Sequence, residues 1–265
     1  MQRGFYILNQ YKYPPIMKKL LLLLTISLVS LSCSKDDDTI AELNETETQT
    51  QTQTQTQTQT PSKNLSAEQQ DFLLEYEAIV DDLKWTKEIS IFLDGNITSE
   101  YKKIVKEVLD TYNPLFSDGT KISLVKSAKE SNVHLYNSTK DELASFWSDI
   151  YSYTGGAIGY GTTSWSSSSY AGERIINEGR IWVETGSNTS LLFHELGHVL
   201  GLGHSSQKYC SSSVMCGVPT ANTLSAFDKA MIKIRYHSDV KSDTTFEEMK
   251  PVIEKLLLNK EVVIE

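Results

Sequence analysis

The sequence predicts an α+β fold, and three observations point to it. Short runs rich in β-branched residues, bounded by turn signals, indicate about five strands. Longer stretches repeat apolar residues at helical spacing, and several of them open on a residue that caps a helix. Beyond the last strand-like run, at residues 181–184, the patterns are helical only, which predicts a C-terminal helical subdomain.

Composition limits the classes of protein to which this chain can belong. Its 265 residues are 39% hydrophobic, which is enough to bury a core. The formal net charge is -9 and no stripe of basic residues occurs, which argues against a nucleic acid as partner. We therefore expect a globular domain that binds no nucleic acid, and we expect it to be a monomer.

The N-terminal segment indicates export. A basic start at Met17 leads into an apolar run at residues 20–31 that is too short to span a bilayer comfortably, so residues 17–32 are predicted to be a signal peptide. Residues 1–16 are then an upstream extension of the reading frame. The end of the run resembles a bacterial lipobox, which would make Cys33 the lipid-bearing residue. The alternative is an ordinary signal peptide with an incidental cysteine.

Residues 33–63 are predicted to be a disordered tether. The run at residues 34–38 resembles the surface-export signal of Bacteroidetes lipoproteins, although such a charged run is also typical of solvated chain. The alternation of Thr with Gln that follows has no apolar face to bury. We expect an outer membrane lipoprotein that faces the cell surface or the periplasm and contacts the membrane through its lipid alone.

Residues 64–265 are expected to form one folded domain. The first helix could pack behind this domain or be a remnant of a propeptide, and we favour packing. His134, on a predicted strand, is interpreted as a half-buried or surface residue rather than a ligand. The predicted strands lie at residues 89–93, ending at Asp94-Gly95, and at residues 122–125, 133–136, 157–163 and 181–184. Three helices are predicted from their capping residues: one capped by Ser66 and Gln69, one capped by Thr139 and Glu142 with apolar residues from 143 to 151, and one capped by Ser225 and Asp228. Further helices are predicted at residues 101–112, at about residues 189–201 and, as a short helix, near residues 252–258.

The helix at residues 189–201 carries the candidate site, because three of the five histidines lie in it or just after it. On a helix, His194 and His198 are one turn apart and project from the same face, which lets two imidazoles bind one zinc ion. Gly201 can adopt the left-handed conformation that ends a helix, and the turn can carry His204 to the third position. Glu195 lies beside the two histidines, on the neighbouring edge of the helix. A fourth position stays open for water, as in catalytic zinc sites.

The sequence His194-Glu-Leu-Gly-His-Val-Leu-Gly-Leu-Gly-His204 resembles HExxHxxGxxH, the zinc signature of the metzincin metalloproteases. Ser213-Val214-Met215 is similar to the methionine turn that follows the signature in that family. The later residues 224–228 are similar to the matrixin branch. The resemblance implies a metzincin-like zincin fold with a twisted mixed sheet and a long active-site helix.

The resemblance also implies roles for individual residues. Those roles are Zn²⁺ ligation by His194, His198 and His204, general base catalysis by Glu195, and a hydrophobic floor under the histidines at Met215, within a turn at residues 213–216. In metzincins the strand before the last one is a sheet edge along which an extended substrate lies. By position in the chain, that edge is Ile158, Gly159, Tyr160 and Gly161, with a plain surface loop as the alternative.

Cys210 and Cys216 lie on either side of the methionine turn. In a secreted protein two cysteines this close most simply form a disulfide, which here would stiffen the loop under the metal. Zinc binding by the two thiols is the rival interpretation, and it is disfavoured because the histidines already supply three ligands. No acidic loop of the EF-hand type is present, so Ca²⁺ is compatible with the sequence but not indicated by it.

These expectations combine into a zinc-dependent endopeptidase, a hydrolase that cleaves protein or peptide substrates with a zinc-activated water and Glu195 as general base. The rival is a surface-anchored binding lipoprotein in which zinc is structural and no peptide bond is cleaved. Glu195 argues against that rival, because a purely structural site needs no base.

Overall fold

The computed structural model describes residues 64–167 and 174–264, which form seven α-helices and one five-stranded sheet. The helices are α1 (Ala67–Ile79), α2 (Ser99–Tyr112), α3 (Lys140–Phe146), α4 (Ser148–Thr154), α5 (Thr189–Val199), α6 (Ala226–Arg235) and α7 (Phe246–Leu258). The strands are β1 (Ile89–Gly95), β2 (Ile122–Val125), β3 (Val133–Ser138), β4 (Gly159–Ser167) and β5 (Arg174–Glu184). The predicted α+β class with a mixed sheet of about five strands is confirmed.

The N-terminal predictions concern a different part of the chain. The upstream extension at residues 1–16, the signal peptide at residues 17–32, lipidation at Cys33 and the tether at residues 33–63 all lie outside the described residues. Within the described residues, no helix combines the length and the apolar character that crossing a membrane requires.

Four strands of the sheet are parallel, and β4 runs antiparallel along one edge. The order across the sheet is β2-β1-β3-β5-β4. The strands predicted at residues 157–163 and 181–184 are placed correctly, but β4 begins and ends later than predicted and β5 begins earlier. β4 consists mostly of Gly, Ser and Thr, so its extent is set by pairing with β5 rather than by a hydrophobic alternation of its own.

Capping residues begin several helices, as the sequence predicts. Ser66 with Gln69 at α1 and Ser225 with Asp228 at α6 form complete capping boxes. α7 is longer than the helix predicted near residues 252–258, because a further capping box at its N-terminus starts it at Phe246.

The single helix predicted across residues 143–151 is wrong. The chain breaks at Trp147, whose backbone has φ -129° and ψ 71°, and α3 and α4 form on either side of it. The Trp147 ring makes T-shaped contacts with His134 and Tyr136 on β3, at centroid distances of 5.1 and 5.6 Å. We attribute the break to this contact with the sheet, which a continuous helical pattern does not reveal.

α5 is buried beneath the sheet, where it packs against β4, β5 and α2. Side chains from distant parts of the chain bind the carbonyls at its C-terminal end, which have no partner within the helix. The Trp85 indole N–H donates to the Val199 carbonyl at 2.8 Å, and the Tyr236 hydroxyl donates to the Leu200 carbonyl at 3.1 Å. α5 is therefore fixed at the end from which the candidate site is built.

Candidate metal centre

The helix that carries the first two histidines ends in a tight reverse turn. α5 begins after its N-cap Asn188 and gives way to Gly201, which has a φ of +90°. The Gly201 N–H donates to the His198 carbonyl, and the Leu202 N–H donates to the Gly197 carbonyl, both at 3.0 Å. This pair of hydrogen bonds is the Schellman arrangement, and the positive φ that it needs favours glycine.

Three imidazole rings converge after this turn, and their candidate ligand nitrogens all lie within 4.8 Å of one another. Nδ1 of His194 lies 2.7 Å from the Val214 carbonyl oxygen, and Nδ1 of His198 lies 2.7 Å from the Leu202 carbonyl oxygen. Because a carbonyl can only accept, each Nδ1 carries the proton and each Nε2 presents a lone pair. These two Nε2 atoms are 3.0 Å apart, where their lone pairs repel unless a cation binds both. His204 supplies the third imidazole ring of the cluster.

The dimensions and chemistry of this histidine cluster suit one zinc ion. Zinc binds imidazole nitrogen at about 2.0–2.1 Å, so two such nitrogens at a tetrahedral zinc lie about 3.3–3.4 Å apart. The observed 3.0 Å is close to that separation. Among the described residues, the three histidines are the one group of three or more His, Cys, Asp or Glu side chains that could hold a metal.

Burial keeps the rings in the form that binds metals. It lowers the pKa of His194 to about 4 and that of His198 to about 3. It also lowers the pKa of His204, which is the most exposed of the three side chains. Neutral imidazole is the ligand form of histidine, so the protein environment favours metal binding over protonation.

Glu195 is buried between α5 and β4. Burial raises the pKa of its carboxyl to about 8, and the Gly161 N–H, which donates a hydrogen bond to the carboxylate, acts in the opposite direction. A Cβ on Gly159 would overlap the Glu195 carboxylate. A Cβ on Gly161 would overlap the Glu195 carbonyl and lie 3.1 Å from the His198 Cβ. The two glycines therefore let the edge strand lie directly against the helix.

The four residues predicted to bind substrate do not all face the same part of the structure. Gly159 and Gly161 face α5, whereas Tyr160 packs into a small apolar cluster that contains Leu143, Ile150 and Trp182. Ile158 precedes β4 and is 51% exposed. The alternative interpretation of this segment as a plain surface loop is wrong from Gly159 onward, because the chain pairs with β5 there.

Met215 packs against α5 at Gly197, where the helix has no side chain. It is 1% exposed, and a Cβ on Gly197 would overlap its sulfur and lie 3.1 Å from its Cε. Cys210 and Cys216 form a disulfide across the segment that precedes and contains Met215, with their Cα atoms 4.7 Å apart. The two cysteine sulfurs are therefore bound to each other.

A buried carboxylate that the sequence marks only as a helix cap also supports the methionine turn. Asp228 accepts hydrogen bonds from the Ser213 hydroxyl at 2.6 Å and from the Val214 N–H at 3.2 Å. The Val214 carbonyl in turn accepts from Nδ1 of His194. Asp228 therefore acts on the first histidine through one intervening residue, as outer partners of metal ligands do.

Residues 68–255, more than half of the chain, match a family described as protein of unknown function (DUF2927). The chain belongs to this family. The region that matches DUF2927 runs from α1 into α7 and contains Glu195 and all three histidines. A comparison with curated proteins finds no match to the chain. Since the description of DUF2927 states no activity, the function has to be argued from the site.

Proposed function

We propose that this DUF2927 protein is a zinc-dependent endopeptidase of the metzincin type. The observation that carries the proposal is the convergence of three neutral imidazoles within 4.8 Å at the end of α5, the helix that also carries the buried Glu195. An all-nitrogen set of three ligands is typical of zinc, and it leaves a fourth position for water. We propose that the Glu195 carboxyl lies next to that position, where it has a role in hydrolysis and would have none in a closed structural site.

The chemistry of the proposed reaction is divided between the ion and the protein. When bound, zinc would lower the pKa of a water molecule to about 7 and polarise the carbonyl of the substrate. Glu195 would accept the proton of the attacking water and pass it to the leaving amine. Burial raises the pKa of Glu195 in the metal-free protein, the positive charge of a bound zinc would lower it again and favour the carboxylate, and the Gly161 N–H would hold that carboxylate in place.

The substrate would bind along β4. This strand is the last in the sheet, and the Gly161 N–H on its outer side already points to the site rather than to β5. An extended peptide can add to such an edge through backbone hydrogen bonds, which would make recognition depend on the backbone first and on side chains second. We propose that the peptide runs antiparallel to β4, so that its scissile bond lies over the histidine cluster.

The proposal also includes the cellular location of the enzyme. We propose that a lipid at Cys33 anchors the protein to the bacterial outer membrane, and that residues 33–63 hold the folded domain away from the membrane. The protein would then act as a monomer on protein or peptide substrates at the cell surface or in the periplasm.

Glu195→Gln is the variant that tests this function, because it keeps the side chain's shape and leaves the three ligands in place. We expect the purified protein to cleave casein, to stop when a chelator is added, and to recover with zinc. Glu195→Gln should bind one zinc ion as tightly as wild type while cleaving at least about 100-fold more slowly. Glu178→Gln, an exposed change on β5, serves as the matched control and should keep full activity.

Two results would contradict the proposal. One is a wild-type protein that binds zinc and digests no protein substrate, which would favour a binding lipoprotein with structural zinc. The other is a Glu195→Gln variant that cleaves as fast as wild type.

A further inference from the structure

His204 is held differently from the other two histidines. His194 and His198 project from a buried helix, and their Nδ1 atoms are fixed by backbone carbonyls. Within the part of the chain that the structure describes, the His204 ring has no such hydrogen bond, and it lies in a loop after the helix. Its position must therefore come from the backbone on either side of it.

That backbone is fastened by three N–H groups close to His204. The Gly203 N–H donates to the Ile79 carbonyl at 2.6 Å, and the Ser205 N–H donates to the Met215 carbonyl at 2.8 Å. The Ser206 N–H donates to a carboxylate oxygen of Glu75 at 2.5 Å. Two of the three acceptors thus belong to α1, the first helix of the domain, and the third belongs to the methionine turn.

Glu75 is an unusual residue at its position on α1. It lies among Phe72, Leu73 and Tyr76, which are in the core, and it is itself only 9% exposed. Burying a carboxylate is costly unless its oxygens are hydrogen-bonded. The Ser206 N–H donates to this carboxylate, and a charged acceptor makes that bond stronger than a neutral one.

The two residues that follow α1 also contact the turn before His204. Val80 and Leu202 form an antiparallel bridge, and the Asp81 N–H donates to the Gly201 carbonyl at 2.9 Å. The turn before His204, at Gly201 and Leu202, therefore pairs with the residues after α1. Glu75 holds the loop after His204, at Ser206. This arrangement also favours the interpretation of α1 as a packed part of the domain over that of a propeptide remnant.

We propose that α1 is an integral part of the metal centre, and that Glu75 is a positioning residue that fixes His204 through the backbone of Ser206. The proposal deepens the proposed function, since it concerns the same three histidines. Outer partners of this kind change metal affinity by about 10- to 100-fold when they are removed. α1 would therefore set how tightly the protein holds zinc.

The test compares three variants of the full chain by chelator competition for zinc. Glu75→Ala should weaken zinc binding about tenfold or more, because the third ligand loses an anchor. Glu75→Gln should restore most of the affinity, since its amide oxygen can still accept from Ser206. Asp71→Ala, one turn earlier on α1, removes an exposed ion pair with Lys208 of 2.6 Å and should leave zinc affinity unchanged within about twofold. Equal affinities for Glu75→Ala and Asp71→Ala would overturn the proposal.

A second measurement needs neither a variant nor a metal. In metal-free wild-type protein, the amide hydrogen of Ser206 should exchange as slowly as that of Ser205, because α1 holds it in place before zinc binds. Fast exchange at Ser206 would overturn the proposal even if Glu75→Ala failed to fold. Failure of wild type to bind zinc would instead contradict the proposed function, while the exchange rate would still decide the role of α1.

Discussion

Asp228→Ala tests how the fold supports the metal centre. The buried carboxylate accepts two hydrogen bonds from Ser225 in the capping box of α6, and two more from Ser213 and Val214 in the methionine turn. The N-cap Ser225 is kept in this variant, but the Ser213 hydroxyl and the Val214 N–H are left without an acceptor, and each such buried donor costs about 1–3 kcal/mol. We therefore expect the free energy of unfolding to fall by at least about 2 kcal/mol. Because the Val214 carbonyl also orients His194, zinc affinity should fall about tenfold.

Glu248→Ala is the matched control for this substitution. Glu248 forms the same kind of capping box with Thr245 at the start of α7, but its carboxylate is exposed and does not bind the methionine turn. Urea unfolding of the metal-free variants gives the change in stability, and chelator competition gives the zinc affinity. The reasoning is refuted if Asp228→Ala loses no more stability than Glu248→Ala and binds zinc as tightly.

Two further predictions concern the floor of the site and the dependence of stability on pH. Gly197→Ala should destabilise the protein by about 1–3 kcal/mol, because the new Cβ overlaps Met215, although helix propensity alone favours alanine by about 1 kcal/mol. Thermal unfolding measures this effect, with Gly156→Ala as the control, because a Cβ on Gly156 has no atom within 4 Å. A Gly197→Ala variant more stable than wild type would contradict the packing described. Hydrogen bonds from Arg174 hold the pKa of Asp243 below its ordinary 3.8, so the stability that this pair contributes is present above that value and is lost as the pH falls through the lowered pKa. Asp243→Asn should be less stable than wild type at pH 7, and a difference that fails to shrink by pH 3 would contradict this assignment.

The parts of the fold that could be predicted from the sequence are those fixed by neighbouring residues. Capping boxes at Ser66 and Ser225 and the apolar stripe of α2 depend on spacings of three or four residues, and each appears where the pattern places it. The histidine cluster is predictable for the same reason, since a helical turn and the positive φ of Gly201 bring its members together.

The features that escaped prediction depend on contacts between distant segments. Trp147 interrupts a helical pattern because its ring packs on β3, and the length of β4 is set by its partner strand. Glu75 looks like an ordinary charged helix residue until Ser206, 131 positions away, is placed against it. Asp228 is recognisable as a cap, but the sequence carries no sign that it also holds the methionine turn.

X-ray absorption spectroscopy of the zinc-loaded protein, with metal content measured on the same sample, tests the central claim most directly. We expect one zinc ion per chain with three imidazole nitrogens at about 2.0–2.1 Å and one oxygen ligand. The variant His204→Ala should show two imidazoles in place of three. A sulfur ligand at about 2.3 Å, an unchanged spectrum in His204→Ala, or a protein that retains no zinc would contradict the account.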